Sequence, residues 1–158
     1  MCAKSSSRAR ARGFTIGELV LVLIIVGVMA VVAMPRLGTM DVAGEAWHQD
    51  VASSLRHAHH TAVAARRLVC ASVSTGTVTL TIAGSNPASA CSSTLRGYDG
   101  DTAFARSSNA PGTSSAILYF QPSGRVTSDG AGSTASNFTI AITGQASVNV
   151  VGETGHVE

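Results

Sequence analysis

One acid stands inside an apolar stretch: Glu18, within residues 14–34, a run that contains no base. A carboxylate at bilayer depth costs roughly 2.5 to 3.5 kcal/mol on insertion scales and marks a place where a cation is expected to meet it. The chemistry on offer is charge pairing. No paired carboxylates stand near a histidine, no Gly-x-Ser-x-Gly elbow surrounds a serine, and no Gly-rich phosphate loop joins a strand to a helix. The sequence therefore names no catalytic residue and no cofactor, and the chain is not expected to be an enzyme. His57, His59 and His60 invite a metal hypothesis, because His57 and His60 lie three apart on one helix face. No further ligand stands at a matching spacing, so a solvated histidine-rich surface is the alternative and no metal site is assigned.

The element that positions Glu18 is the stretch 14–34 itself. Its twenty-one residues suffice to cross a hydrocarbon core of roughly 30 Å as a helix. Lys4, Arg8, Arg10 and Arg12 precede it with no acid among them, which holds the N-terminus in the cytoplasm and sends the rest of the chain outward. The apolar run is too long for a secretory signal peptide and ends in Met34-Pro35-Arg36 rather than at a small-residue cleavage site.

Gly13-Phe14-Thr15, then Glu18-Leu19 and a long apolar run closed by Pro35, resembles the class III signal of type IV pilins and pseudopilins. The resemblance implies that a prepilin peptidase cuts between Gly13 and Phe14 and methylates the new amine of Phe14. It also implies that Glu18 is the assembly charge. An α-amine has an unperturbed pKa of about 7.7 to 8.0, so the freed terminus of one subunit supplies the cation that Glu18 of a neighbour lacks. Gly17 departs from the pattern, which usually has a bulky aliphatic residue there. Glycine costs about 1 kcal/mol of helix propensity, so fraying of the first turn is expected.

The division that follows is a leader at 1–13, a transmembrane helix at 14–34, an amphipathic helix continuing through 35–70, and a β-rich extracytoplasmic domain at 71–158. From Phe14 onward seven Arg and no Lys face nine Asp and Glu, leaving two net negative charges, which weakens any case for nucleic acid from net charge. Cys2 falls in the leader. Cys70 and Cys91 are left together in an oxidising compartment, where a disulfide is expected and two unpaired buried thiols are the alternative. An apolar stripe at Trp47, Val51, Leu55, Ala58, Ala62, Ala65 and Val69 keeps helical spacing. Pro35 is expected to kink or locally melt the long helix, with Gly38 and Gly44 as further weak points.

Beyond residue 71 the chain alternates in short runs: 73–74 and 78–82 around Thr75-Gly76, 117–120 before Pro122-Ser123-Gly124, and 138–142 and 148–151 around Gly144-Gln145. Residues 155–157 suggest an edge strand, and the Ser, Asn, Pro and Gly content of 84–90 and 106–115 marks loops. The run 116–125, followed by Ser147-Val148-Asn149-Val150-Val151 and Thr154-Gly155-His156-Val157, is similar to the minor pseudopilin H and FimT-like minor pilin family. That similarity implies an α+β fold, with the second half of a long helix packed on two antiparallel sheets. It implies a low-abundance filament subunit of a type II secretion pseudopilus or type IV pilus, single-pass in the bacterial inner membrane with a periplasmic C-terminal domain. Its partners would be other pilins or pseudopilins, the prepilin peptidase and an inner-membrane assembly platform. DNA capture is the second reading. Against it stand Glu153 and Glu158 at the C-terminal end, where a DNA binder would carry arginine, and only Arg96, Arg106 and Arg125 in the β domain.

Overall fold

The computed structural model describes residues 15–37, 42–97 and 99–158, with side chains in the first of these stretches as far as Met29. The chain divides into two units, Met1–Met40 and Asp41–Glu158.

In the first unit, α1 spans Ile16–Leu37. It begins where a reciprocal cap can form, and it runs through Pro35 rather than ending before it. Among the described residues no helix is long and apolar enough to cross a membrane. A span takes about 20 apolar residues, and the remainder of the stretch 14–34 lies beyond the last described side chain. The expectation of one helix continuing to residue 70 is also revised. The second unit has its own helix, α2, over Val42–Ala65, and residues 38–41 lie outside the described residues.

α2 forms because five stripe positions, Trp47, Val51, Leu55, Ala58 and Ala62, fall on one face and bury completely. The opposite face, with Asp50, Ser53, Arg56, His57 and His60, is exposed. The stripe predicted a helix to residue 70, five residues beyond its observed last residue, Ala65. Ala65 is exposed, and Val69 and Cys70 belong to a strand. The helix stops because Arg66 turns left-handed, at φ 52°. The Arg66 amide then reaches Val63 O at 3.3 Å, and the Arg67 amide reaches Ala62 O at 3.2 Å, the paired bonds of a Schellman terminus. A side chain in that conformation costs roughly 1 to 2 kcal/mol. Arg66→Gly is accordingly expected to raise stability by about 1 kcal/mol, read as a higher denaturant midpoint at unchanged slope.

Eight strands follow: β1 Val69–Ser74, β2 Thr77–Ile82, β3 Ser93–Leu95, β4 Ala105–Arg106, β5 Ala116–Phe120, β6 Val126–Thr127, β7 Phe138–Ile140 and β8 Val148–Val150. The main sheet is antiparallel in the order β3-β2-β1-β5-β6, with β4 also pairing β2; β7 and β8 form a second sheet. Register follows from alternation. Ala71 stands opposite Leu80 on one side and Leu118 on the other, so these residues share a face, while Cys70, Thr81 and Tyr119 share the opposite one. The first face meets α2. Val69, Ala71, Val73, Val78, Leu80, Leu118 and Phe120 bury against the helix stripe, and Ile140, Val148 and Val150 of the second sheet close the same core.

Two turns require glycine. Gly76 joins β1 to β2 at φ 73°, and a Cβ there would lie 2.6 Å from Ser107 O. Gly124 joins β5 to β6 at φ 88°. Residues 155–157 contribute a single bridge from Val157 to Val150 rather than a strand, and the β region begins at Val69 instead of residue 71.

Candidate functional site

The first candidate is the opening turn of α1. Thr15 is the N-cap. Its backbone N–H donates to Glu18 Oε2 at 3.0 Å and its hydroxyl donates to the same oxygen at 3.2 Å, while the Glu18 amide donates to Thr15 Oγ1 at 3.3 Å. This is a capping box, in which side chains at the cap and three residues on satisfy each other's orphan donors. The Leu19 amide closes the first helical bond onto Thr15 O at 3.2 Å. Gly17 therefore sits inside a formed turn, and the fraying expected of it is countered by the cap. Gly13 and Phe14, the expected cleavage pair, lie outside the described residues. Among its described side chains, Ile16 to Met29, α1 is uncovered: Ile16 is 84% exposed, Leu21 60% and Met29 68%.

The second unit carries the histidines. His57 stacks on Phe104, with ring centroids 4.7 Å apart. His59 turns the other way, with Nε2 3.2 Å from Gly124 O, where its N–H donates to the carbonyl. His60 lies beside His59, the rings 5.9 Å apart. The three do not converge, and among the described residues no group of three His, Cys, Asp or Glu side chains is placed to hold a metal ion.

His59 and His60 instead line a groove of about 450 Å³ with Arg56 and residues 154–157. The Arg56 Nε and Nη2 donate to Val157 O at 3.3 and 3.2 Å. The wall opposite is set by close backbone approach. A Cβ on Gly155 would lie 2.4 Å from His59 Cδ2 and 2.5 Å from Gly124 O, so only glycine fits.

The three arginines of the β region are each engaged locally. Arg96 Nη1 donates to Gly100 O at 2.7 Å. Arg125 grips Glu153 with two bonds, at 3.1 and 3.2 Å. Arg106 lies 3.2 Å from Asp101. The Asp101 carboxyl is held below its ordinary value, first by the hydrogen bond from the Thr102 amide and also by the Arg106 charge.

Cys70 and Cys91 form the disulfide expected of them, with Cα atoms 6.1 Å apart. The bond ties the segment ahead of β3 to the central strand β1, on the sheet face away from α2. Closing a loop across 21 positions stabilises by about 3 kcal/mol in the chain-entropy account. A Cys70→Ser, Cys91→Ser variant is expected to lose about that much, measured by denaturant unfolding against the oxidised parent.

Sequence reasoning missed two participants. Thr15 was legible, since Thr-x-x-Glu before an apolar run is a capping signature, but Glu18 was read for its charge alone. The groove left no sequence signal, because Arg56 and Val157 are 101 positions apart. Comparison of the chain with family models, with characterised proteins and with solved structures finds no match.

Proposed function

We propose that the chain is a prepilin-type filament subunit, a minor pilin or pseudopilin of a type II secretion pseudopilus or type IV pilus. One observation carries this reading: a helix that opens on a capped glutamate and then presents uncovered apolar side chains from Leu19 to Met29. Such a surface requires lipid or the helices of neighbouring subunits around it. In this reading α1 lies in the bacterial inner membrane, and the unit Asp41–Glu158 faces the periplasm before extraction into the filament.

The capping box gives the assembly charge a physical form. Thr15 donors fix the Glu18 carboxylate in the first turn, so it is oriented before a partner arrives. Cleavage after Gly13 frees the Phe14 amine, which N-methylation leaves basic. The amine of one subunit and Glu18 of the next each carry a charge that is costly in hydrocarbon, roughly 2.5 to 3.5 kcal/mol for the carboxylate. Pairing offsets both costs and fixes the axial register of the two helices. The second unit, stapled by Cys70–Cys91, would decorate the filament surface or tip. DNA capture finds less support, because Arg96, Arg106 and Arg125 all bond to oxygens of their own chain.

Mass spectrometry of the native protein tests the reading. The assembled form is expected to begin at N-methylated Phe14. An assembled form that retains Met1 or Cys2 would overturn it.

A further inference from the structure

We propose that the groove between α2 and the segment 154–157 receives a carboxylate side chain, an exposed Asp or Glu of a partner polypeptide. This goes beyond the filament reading and does not depend on it.

The groove is built to donate. Arg56 has no carboxylate within 4.0 Å among the described residues, whose two ion pairs are Arg106–Asp101 and Arg125–Glu153. Its guanidinium is nevertheless fixed, because Nε and Nη2 are both directed at Val157 O. That bond orders the side chain without neutralising it, and Nη1 remains to donate. Thr154 Oγ1 accepts from the His156 amide at 3.3 Å, which leaves the hydroxyl hydrogen free to donate. His60 and His156, both exposed, add imidazole N–H groups at the rim. No acid lines the groove. A carboxylate, which only accepts hydrogen bonds, is the complement of such a surface.

Charge and rigidity narrow the ligand further. Among the residues that line the groove, Arg56 alone carries a permanent charge. One cation matches a carboxylate monoanion, whereas a phosphate dianion would be left half-compensated. A charge-assisted bond from arginine to a carboxylate is stronger than a neutral one, and the anchor on Val157 O aims the remaining Nη1 donor. The wall does not need to rearrange on binding. His59 lies between Gly124 and Gly155, both at positive φ, and the approach of Gly155 leaves no room there for a side chain. A receptor fixed in advance loses less conformational freedom when occupied.

The test uses the full chain in detergent micelles, with isotope-labelled histidines observed by NMR. Hexaglutamate, hexaglutamine and inorganic phosphate are titrated at matched ionic strength. The expected result is saturable movement of the His60 and His156 resonances with hexaglutamate alone. Arg56→Gln should weaken that binding at least about tenfold, and His57→Gln, which alters the ring stacked on Phe104 outside the groove, should leave it unchanged. Saturation by phosphate and not by hexaglutamate would make this a phosphate site and overturn the proposal. Equal response to hexaglutamine, absence of saturation, or full affinity in Arg56→Gln would overturn it as well. Should Arg56→Gln fail to fold, Thr154→Val and His156→Gln, both at exposed positions, carry the same test. Each is expected to weaken hexaglutamate binding at least about threefold, and unchanged affinity in both counts against the site.

Discussion

Glu18→Gln is expected to insert, to be cleaved after Gly13 and to keep its helix cap, yet to be almost lost from assembled filaments. Glutamine serves at the third helical position of a capping box nearly as well as glutamate, because its carbonyl still accepts the Thr15 amide. What it lacks is charge. The Phe14 amine of the neighbouring subunit would then enter hydrocarbon uncompensated, at a cost of the order of 3 kcal/mol, which corresponds to roughly a hundredfold loss of incorporation. Glu18→Ala removes both cap and charge and should fail at least as badly. Quantifying each variant in sheared filaments against its processed membrane pool separates the two roles. Normal incorporation of Glu18→Gln alongside failure of Glu18→Ala would mean that Glu18 acts through the cap, and the charge-pairing mechanism would be wrong.

The second large effect lies in the soluble unit. Trp47→Ala is expected to cost about 3 to 5 kcal/mol, the range for truncating a large aromatic in a packed core, against a total stability of about 5 to 15 kcal/mol for a domain. Trp47 is fully buried in the core that α2 forms with the sheets. Its indole N–H donates to Thr113 Oγ1 at 2.8 Å, and that hydroxyl donates onward to Pro111 O at 3.0 Å. Two further bonds, from the Thr113 amide to Thr75 Oγ1 and from that hydroxyl to Thr113 O, fasten the loop before β5 to the β1–β2 turn. The tryptophan therefore fills volume and anchors a loop at once. Denaturant unfolding followed by circular dichroism measures the loss, since the variant has no tryptophan left to report by fluorescence. A cost below about 1 kcal/mol would mean that the core collapses to fill the void.

Much of this architecture was legible because burial imposes a period. The face of α2 from Trp47 to Ala62 was readable from spacings of three and four, and β1, β2, β5, β7 and β8 from alternation around Gly76, Gly124 and Gly144. The end of α2 was not, because Ala65 and Val69 continued the period by chance while the terminating conformation belongs to Arg66, a residue with no particular bias toward φ above zero. β3, β4 and β6 were missed for another reason. Ser93–Leu95, Ala105–Arg106 and Val126–Thr127 lack the apolar–polar–apolar order that Phe138–Ile140 and Val148–Val150 show, and they pair only because β2 and β5 offer free ladder groups alongside. The disulfide could be read from cysteine count and the expected oxidising compartment. The groove at Arg56 could not, since it is assembled by the fold from the two ends of the second unit.

Those same short strands have a consequence for solution behaviour. Both margins of the main sheet are finished by segments of two or three residues, Ser93–Leu95 and Ala105–Arg106 along one and Val126–Thr127 along the other. An open margin several residues long is a template on which a second molecule can stack, and brevity is one of the ways natural sheets prevent it. A protein whose proposed work is to self-associate through one helix gains from short margins on its main sheet, because crowding before export would otherwise favour amorphous clumps over ordered growth.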